Sequence, residues 1–259
     1  MTNLKTITGL DIAMGDVPGM SSVNKFGRTT NADQDVPTDV WDGANSGDDI
    51  AIWVAPTEAR VHQITSTSAL DDGSPVGSGA RTVRVFGLPD WDTAETSQDI
   101  TLNGVADVPT TALVIIHRMR VLTKGAAGVN VGVITATADT DNTVTAQINA
   151  GEGQTQMAIY GVPSTQKAYM DNFYASVLKA ASATSANVTL LVNPEPDAEL
   201  INFLVKHTEG LDSTGTSNGQ HPYSPCKQIP GPAIIKIQVT ASRNDTDMSA
   251  GFDLVLVNN

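Results

Sequence analysis

Cysteine is almost missing from this chain. Cys226 stands alone among 259 residues, so no intrachain disulfide can form and stability has to come from packing or from association. No apolar run reaches the roughly 18 residues of a membrane-spanning helix, and none is expected. The first eight residues lack the apolar core of a secretory leader, so the expectation is a protein made in a cytoplasm and remaining in solution. Aromatic side chains make up only 5% of the chain, and charged ones only 17%. Positive charge is scarcest: 15 Lys and Arg face 28 Asp and Glu, a net charge of −13. Such a surface repels nucleic-acid backbones and anionic membranes, so no nucleic acid and no membrane is expected as a partner.

What fills the gap is Thr, Ser, Asn and Gly, the residues of solvated strand faces and turns. From about residue 50, short β-branched and alternating runs follow one another, separated by turn-formers such as Asp71-Asp72-Gly73-Ser74-Pro75 and Asp139-Thr140-Asp141-Asn142. The runs at 50–54, 61–66, 81–86, 100–102, 112–122, 132–138, 143–148 and 156–162 read as strands. So do those at 168–178, 187–192, 201–207, 233–241 and 251–257. Residues 169–181 also fit an amphipathic helix, because Tyr169, Phe173, Val177 and Ala180 share a face; alternation favours the strand. A series of strands without helices between them predicts an all-β fold, an antiparallel β-sandwich of jelly-roll-like type. Its body spans 41–259, as one sandwich or as two packed lobes with a boundary near 155–165. Gly, Ser and Pro mark 68–80 and 208–232 as long loops.

The first forty residues hold no sustained period and read as an extended arm. Ile12, Met14, Val17, Met20 and Phe26, with Arg28, are its candidate anchors on a neighbouring subunit.

Catalytic and metal-binding patterns fail one after another. The carboxylates of Asp90/Asp92, Asp139/Asp141 and Asp245/Asp247 are two residues apart, but a calcium loop starting at Asp139 would need Gly and Glu where Val144 and Ala150 stand. His221 and Cys226 alone approach zinc-ligand spacing. Gly77-Ser78-Gly79 lacks the helix of a nucleophile elbow and the Gly-Lys-Ser/Thr of a phosphate loop. No catalytic residue, metal or cofactor is assigned, and the chain is expected not to be an enzyme. Arg118 and Arg120 share one face of a strand and are candidate inter-subunit contacts to an acidic neighbour. Trp41 and Trp91, each followed by Asp, are candidate glycan-stacking platforms.

Several segments carry a resemblance: Lys25-Phe26-Gly27-Arg28, Val40-Trp41-Asp42-Gly43, residues 79–88, Ile100-Thr101-Leu102-Asn103-Gly104, residues 153–163, and the closing 249–254. Together they resemble structural proteins of tailed bacteriophages over nearly the whole chain. The resemblance implies a virion location, a jelly-roll-like sandwich, many copies per particle and no catalytic residue. It also implies a head-decorating or head–tail accessory role, with a homo-oligomer (a trimer by the habit of virion sandwiches) docking through the arm on the major capsid or connector protein. A receptor- or glycan-binding module of a head fibre or tail is the alternative.

Overall fold

A computed structural model describes residues 8–43, 52–179, 183–198 and 202–259. It holds one short helix, α1 (Gly9–Ala13), and a succession of strands. These are β1 (Met20–Ala32), β2 (Thr38–Asp39), β3 (His62–Ser66), β4 (Ala80–Leu88), β5 (Thr96–Thr101), β6 (Val108–Pro109), β7 (Ile115–Lys124) and β8 (Ile134–Ala138). They continue with β9 (Val144–Ile148), β10 (Ile159–Val162), β11 (Gln166–Lys179), β12 (Ser185–Asn193), β13 (Leu204–Asp212), β14 (Asn218–Pro230), β15 (Ala233–Ala241) and β16 (Thr246–Asn258).

Two sheets share the first core. One runs β1-β16-β11-β14; the other runs β10-β15-β12-β13, with β2 also on β15. β2 and β10 lie end to end along the same edge of β15, opposite Gln238–Val239 and Ala233–Lys236 respectively. They therefore occupy one strand position. Counted that way, eight strand positions form sheets in the orders 1-8-3-6 and 2-7-4-5, the antiparallel jelly roll. Between the sheets lie Met170, Phe173, Leu190, Ile235, Ile237, Phe252 and Leu254.

The second lobe leaves the jelly roll in the middle of that split strand. Its sheets run β6-β3-β8-β9 and β5-β4-β7. They close over a separate core that includes Ile64, Val83, Val85, Met119, Ile134, Ile148 and all three tryptophans. The outgoing and returning chains form a neck. Ala158 N donates to Val40 O (2.9 Å) and Asp42 N to Gln156 O (3.0 Å), while Val40 N donates to Ile237 O (2.9 Å). Gly27 backs onto this neck, where a Cβ would lie 2.2 Å from Val40 O and 2.5 Å from Ala158 N. No larger residue fits without moving backbone.

The loop over 68–80 is a real loop, and one buried carboxylate holds it. Asp71 accepts from Ala80 N (2.8 Å), Val131 N (2.8 Å), Gly132 N (2.8 Å) and Ser66 Oγ (2.7 Å). A carboxylate satisfied by three amides and a hydroxyl can be buried without an ion pair.

The extended arm is corrected from Met20 onward. β1 pairs with β16 from Met20↔Val257 to Ala32↔Thr246 and is an edge strand of the jelly roll. Its inward positions Lys25, Gly27 and Thr29 are buried. The loop expected at 208–232 is also corrected, because most of it lies in β13 and β14. Pro222 and Pro230 are tolerated since β14 is an edge strand, where a missing N–H can face away from the ladder. Of the strand expected at 50–54, residues 50 and 51 lie outside the described residues and 52–54 pair with nothing. β11 is a strand throughout, as alternation favoured.

Replacing Asp71 by Ala should destabilise the second lobe by roughly 3 kcal/mol or more, because four buried donors lose their acceptor together. Urea unfolding followed by tryptophan fluorescence reports this lobe directly, since Trp41, Trp53 and Trp91 all lie in its core. An unchanged midpoint would contradict that role.

Candidate interaction site at the junction of the lobes

Polar residues of β1 and β7 meet at the seam between the lobes, beside Ile159 of β10 and Ile234 of β15, which enter the second core. Lys25 reaches from β1 across to the second lobe and donates its Nζ to the backbone carbonyl of His117. The His117 imidazole packs on Tyr160 of β10, ring centroids 4.5 Å apart, and its Nε2 lies 2.6 Å from Glu95 Oε2. Burial pushes the Lys25 amine down to about 7, with Arg118 adding to the fall and Glu95 opposing it. Burial likewise lowers His117, so the ring is neutral and donates its Nε2–H to the carboxylate. Burial alone would raise Glu95; the hydrogen bond from His117 and the nearby Lys25 and Arg118 charges hold it below its ordinary value.

A second polar clasp sits where β2 meets β15. Lys236 Nζ lies 2.7 Å from Asp39 Oδ1, and Asp39 Oδ2 accepts from Trp53 N at 3.0 Å. Gln238 Nε2 reaches Asp39 Oδ1 at 3.3 Å, and the Lys236 ammonium stands 4.6 Å above the Phe203 ring. Burial still pushes the Asp39 carboxyl above its usual range, against the pull of these donors. Asp39 thus ties the jelly roll to the tryptophan core of the other lobe.

The outward face of β4 and β7 carries the candidate interaction site. Arg118 and Arg120 flank Phe86, their guanidinium carbons 5.4 and 5.7 Å from the ring centroid. Phe86 is the cross-strand partner of Arg118, and Arg84 that of Arg120. Arg84 is bound bidentately by Asp99, at 2.6 and 2.8 Å. Among the described residues no carboxylate is hydrogen-bonded to Arg118 or Arg120, and the charges of Glu95 and Asp99 act on them only at longer range. A cleft of about 370 Å³ opens beside them, lined also by Lys124, Val129, Glu152 and Gln154. A smaller recess of about 220 Å³ shares Arg118 and Gln154 with it and reaches Asn24, Lys25 and Phe26.

The residues singled out in the sequence fall in three groups. Arg118 and Arg120 do stand together on one exposed face, with Phe26 at the rim of the adjoining recess. The other arm residues are dispersed. Met14 is exposed, Ile12, Val17 and Met20 are half-buried, and Arg28 lies 3.5 Å from Asp247 across the sheet edge. Trp41 and Trp91 are a correction. They are 2% and 8% exposed inside the second core, so neither can present a ring face to a sugar. Cys226 is exposed, its thiol 3.5 Å from Asp171 Oδ1. Asp90 and Asp141 cap their own turns, accepting from Asp92 N (2.9 Å) and Thr143 N (3.0 Å). His221 packs against His207 with centroids 4.4 Å apart and meets Tyr223 edge-on at 4.7 Å. Sequence reasoning missed Lys25, Glu95 and Phe86. None of the three is marked by a local pattern, because each acts through a neighbour distant in the chain.

Fold and site together define an antiparallel jelly-roll protein with a second β lobe inserted into one strand and a cationic cleft beside the seam. No protein family and no curated protein matches the chain. Among solved structures, one of infectious bursal disease virus, Gx strain, aligns with 93% of this chain and 71% of its own. The TM-score is 0.23 and the identity 9%, and nothing below rests on that likeness. No helix among the described residues is long and apolar enough to cross a membrane.

The Lys25 amine loses its proton at about 7 in the fold and at 10.5 when solvated. Between these values the unfolded chain binds more protons, so stability rises with pH, and the penalty is fully present below about 7. Lys25→Met should abolish this rise. The difference in unfolding free energy between the two proteins should change with pH by up to about 1.4 kcal/mol per unit. Parallel curves between pH 7 and 10 would show that the amine is not desolvated.

Proposed function

We propose that the chain is a non-enzymatic structural component of a virion that works as a self-associating building block. The observation that carries this reading is the architecture. An eight-stranded jelly roll of the kind used in viral capsids bears a second β lobe on a single split strand. One lobe suits lateral packing and the other suits projection. The acidic surface, −13 overall, fits a protein that leaves genome contact to others. The resemblance of its segments to tailed-bacteriophage structural proteins supports the finer assignment, a capsid-bound or head–tail accessory position. The trimeric state and the capsid or connector partner belong to the same proposal.

Because β1 belongs to the sheet, the docking element in this proposal is the segment that precedes Met20. There a Thr8–Asp11 capping box starts α1, and Leu10 and Met14 stand 68% and 65% exposed. Jelly rolls also occur as lectins, but the burial of Trp41 and Trp91 removes the stacking platforms on which a glycan-binding reading relied.

Light scattering on the purified protein should give a multiple of 27.1 kDa at micromolar concentration. The mass of a single chain would count against self-association. Removing residues 1–19 should leave unfolding cooperative and its midpoint nearly unchanged, while incorporation into particles falls. Removing 1–40 should instead disrupt the fold, because it strips β1 from β16.

A further inference from the structure

We infer that the cleft beside Arg118 and Arg120 receives a carboxylate-bearing segment from a second copy of this chain. The inference rests on the self-association proposed above and gives it a surface. Among the described residues, this is where two guanidinium groups stand side by side on one strand face with no carboxylate hydrogen-bonded to either, Glu95 and Asp99 acting on them only at longer range, in a chain with 13 more acids than bases. The neighbouring Arg84 shows what such a group does when a carboxylate is in reach, since Asp99 binds it through both oxygens. Arg120 is more constrained still. Its Nε is buried and has no hydrogen-bond partner, a condition that costs free energy until an acceptor arrives.

The geometry favours a segment of chain over a diffuse counterion. The cleft, about 370 Å³, has Arg118, Arg120 and Lys124 on one wall and the 152–154 turn on the other. That turn is fixed, because Gly153 O accepts from Val121 N at 2.8 Å and Gly153 N donates to Asn130 Oδ1 at 2.9 Å. Glu152, the one acid in the wall, accepts from Gln156 Nε2 at 2.7 Å. Both guanidinium groups are held over the Phe86 ring, so an entering carboxylate would meet two forks with little side-chain freedom left to lose. Arginine and aromatic residues are the types that dominate interface energetics.

Charge identifies the partner. A second copy brings acidic turns with no ion-pair partner among the described residues, such as Glu195 and Asp197, both exposed. Like-charged surfaces elsewhere would repel, so the cationic face sets where contact is permitted.

The test is sedimentation equilibrium of the full chain, of Arg118→Gln/Arg120→Gln, and of Arg118→Glu/Arg120→Glu. Circular dichroism should show all three folded. Association should weaken about tenfold or more in the Gln pair and be lost in the Glu pair. Raising salt from about 50 to about 500 mM should weaken association of the unmodified chain by screening the same contact. If the Glu pair does not fold, the Gln pair and the salt series decide. Undiminished association of the Gln pair, or indifference to salt, overturns the cleft assignment and leaves self-association standing. An unmodified chain that stays monomeric overturns both.

Discussion

The structure turns on a short ladder of backbone hydrogen bonds at the neck. Ala158 N to Val40 O, Val40 N to Ile237 O and Ile237 N to Ala158 O let one strand position of the jelly roll be filled by two distant pieces of chain. Because β2 and β10 share an edge of β15, the jelly roll is complete although about 120 residues depart and return between its parts. At the neck the outgoing segment and the returning one are bridged at Trp41 and Met157, which ties the start of the second lobe to the sheet. Gly27 completes the arrangement by letting β1 lie directly on the neck, a site that has no room for a side chain.

Apolar and polar groups together join the lobes across this neck: Ile159 of β10 and Ile234 of β15 enter the second core, and Lys25 and Asp39 add directional contacts. Buried ion pairs contribute little net stability, yet removing one partner is costly. Asp39, paired with Lys236 inside the jelly roll and accepting from Trp53 N of the other lobe, and Lys25 on the His117 carbonyl therefore specify a single relative placement rather than add strength. A purely apolar seam could slide, whereas one built from directional donors and a stacked imidazole cannot do so without leaving charges unsatisfied. The same seam fixes the backbone of β7, and β7 presents Arg118 and Arg120 outward. Rigidity at the neck and presentation of the cationic face are thus one device.

Much of the architecture was legible because most strands obey simple physics. β15 alternates on a β-branched background and was delimited to the residue at 233–241; β11 and β12 came within a few residues. β1 was illegible for a physical reason. Its inward positions are Lys25, Gly27 and Thr29, chosen for the neck and the seam rather than for a greasy core, so no apolar period marks it. β14 hid behind prolines that only an edge strand tolerates. The pairing of Arg118 and Arg120 on one face followed from strand alternation, but Phe86 between them is a cross-strand neighbour that no local pattern reveals. The tryptophans misled because an Asp after each suggested exposed turns, while their rings serve the second core.

Amide hydrogen exchange at Val40, Ala158 and Ile237 tests the central claim most directly. If the split strand unites the lobes, these amides should exchange as slowly as those of Phe173 and Phe252 in the jelly-roll core, through global unfolding alone. Rapid exchange at Val40 and Ala158, with the two cores still protected, would mean that the neck opens by itself and that the lobes are independent bodies on a hinge.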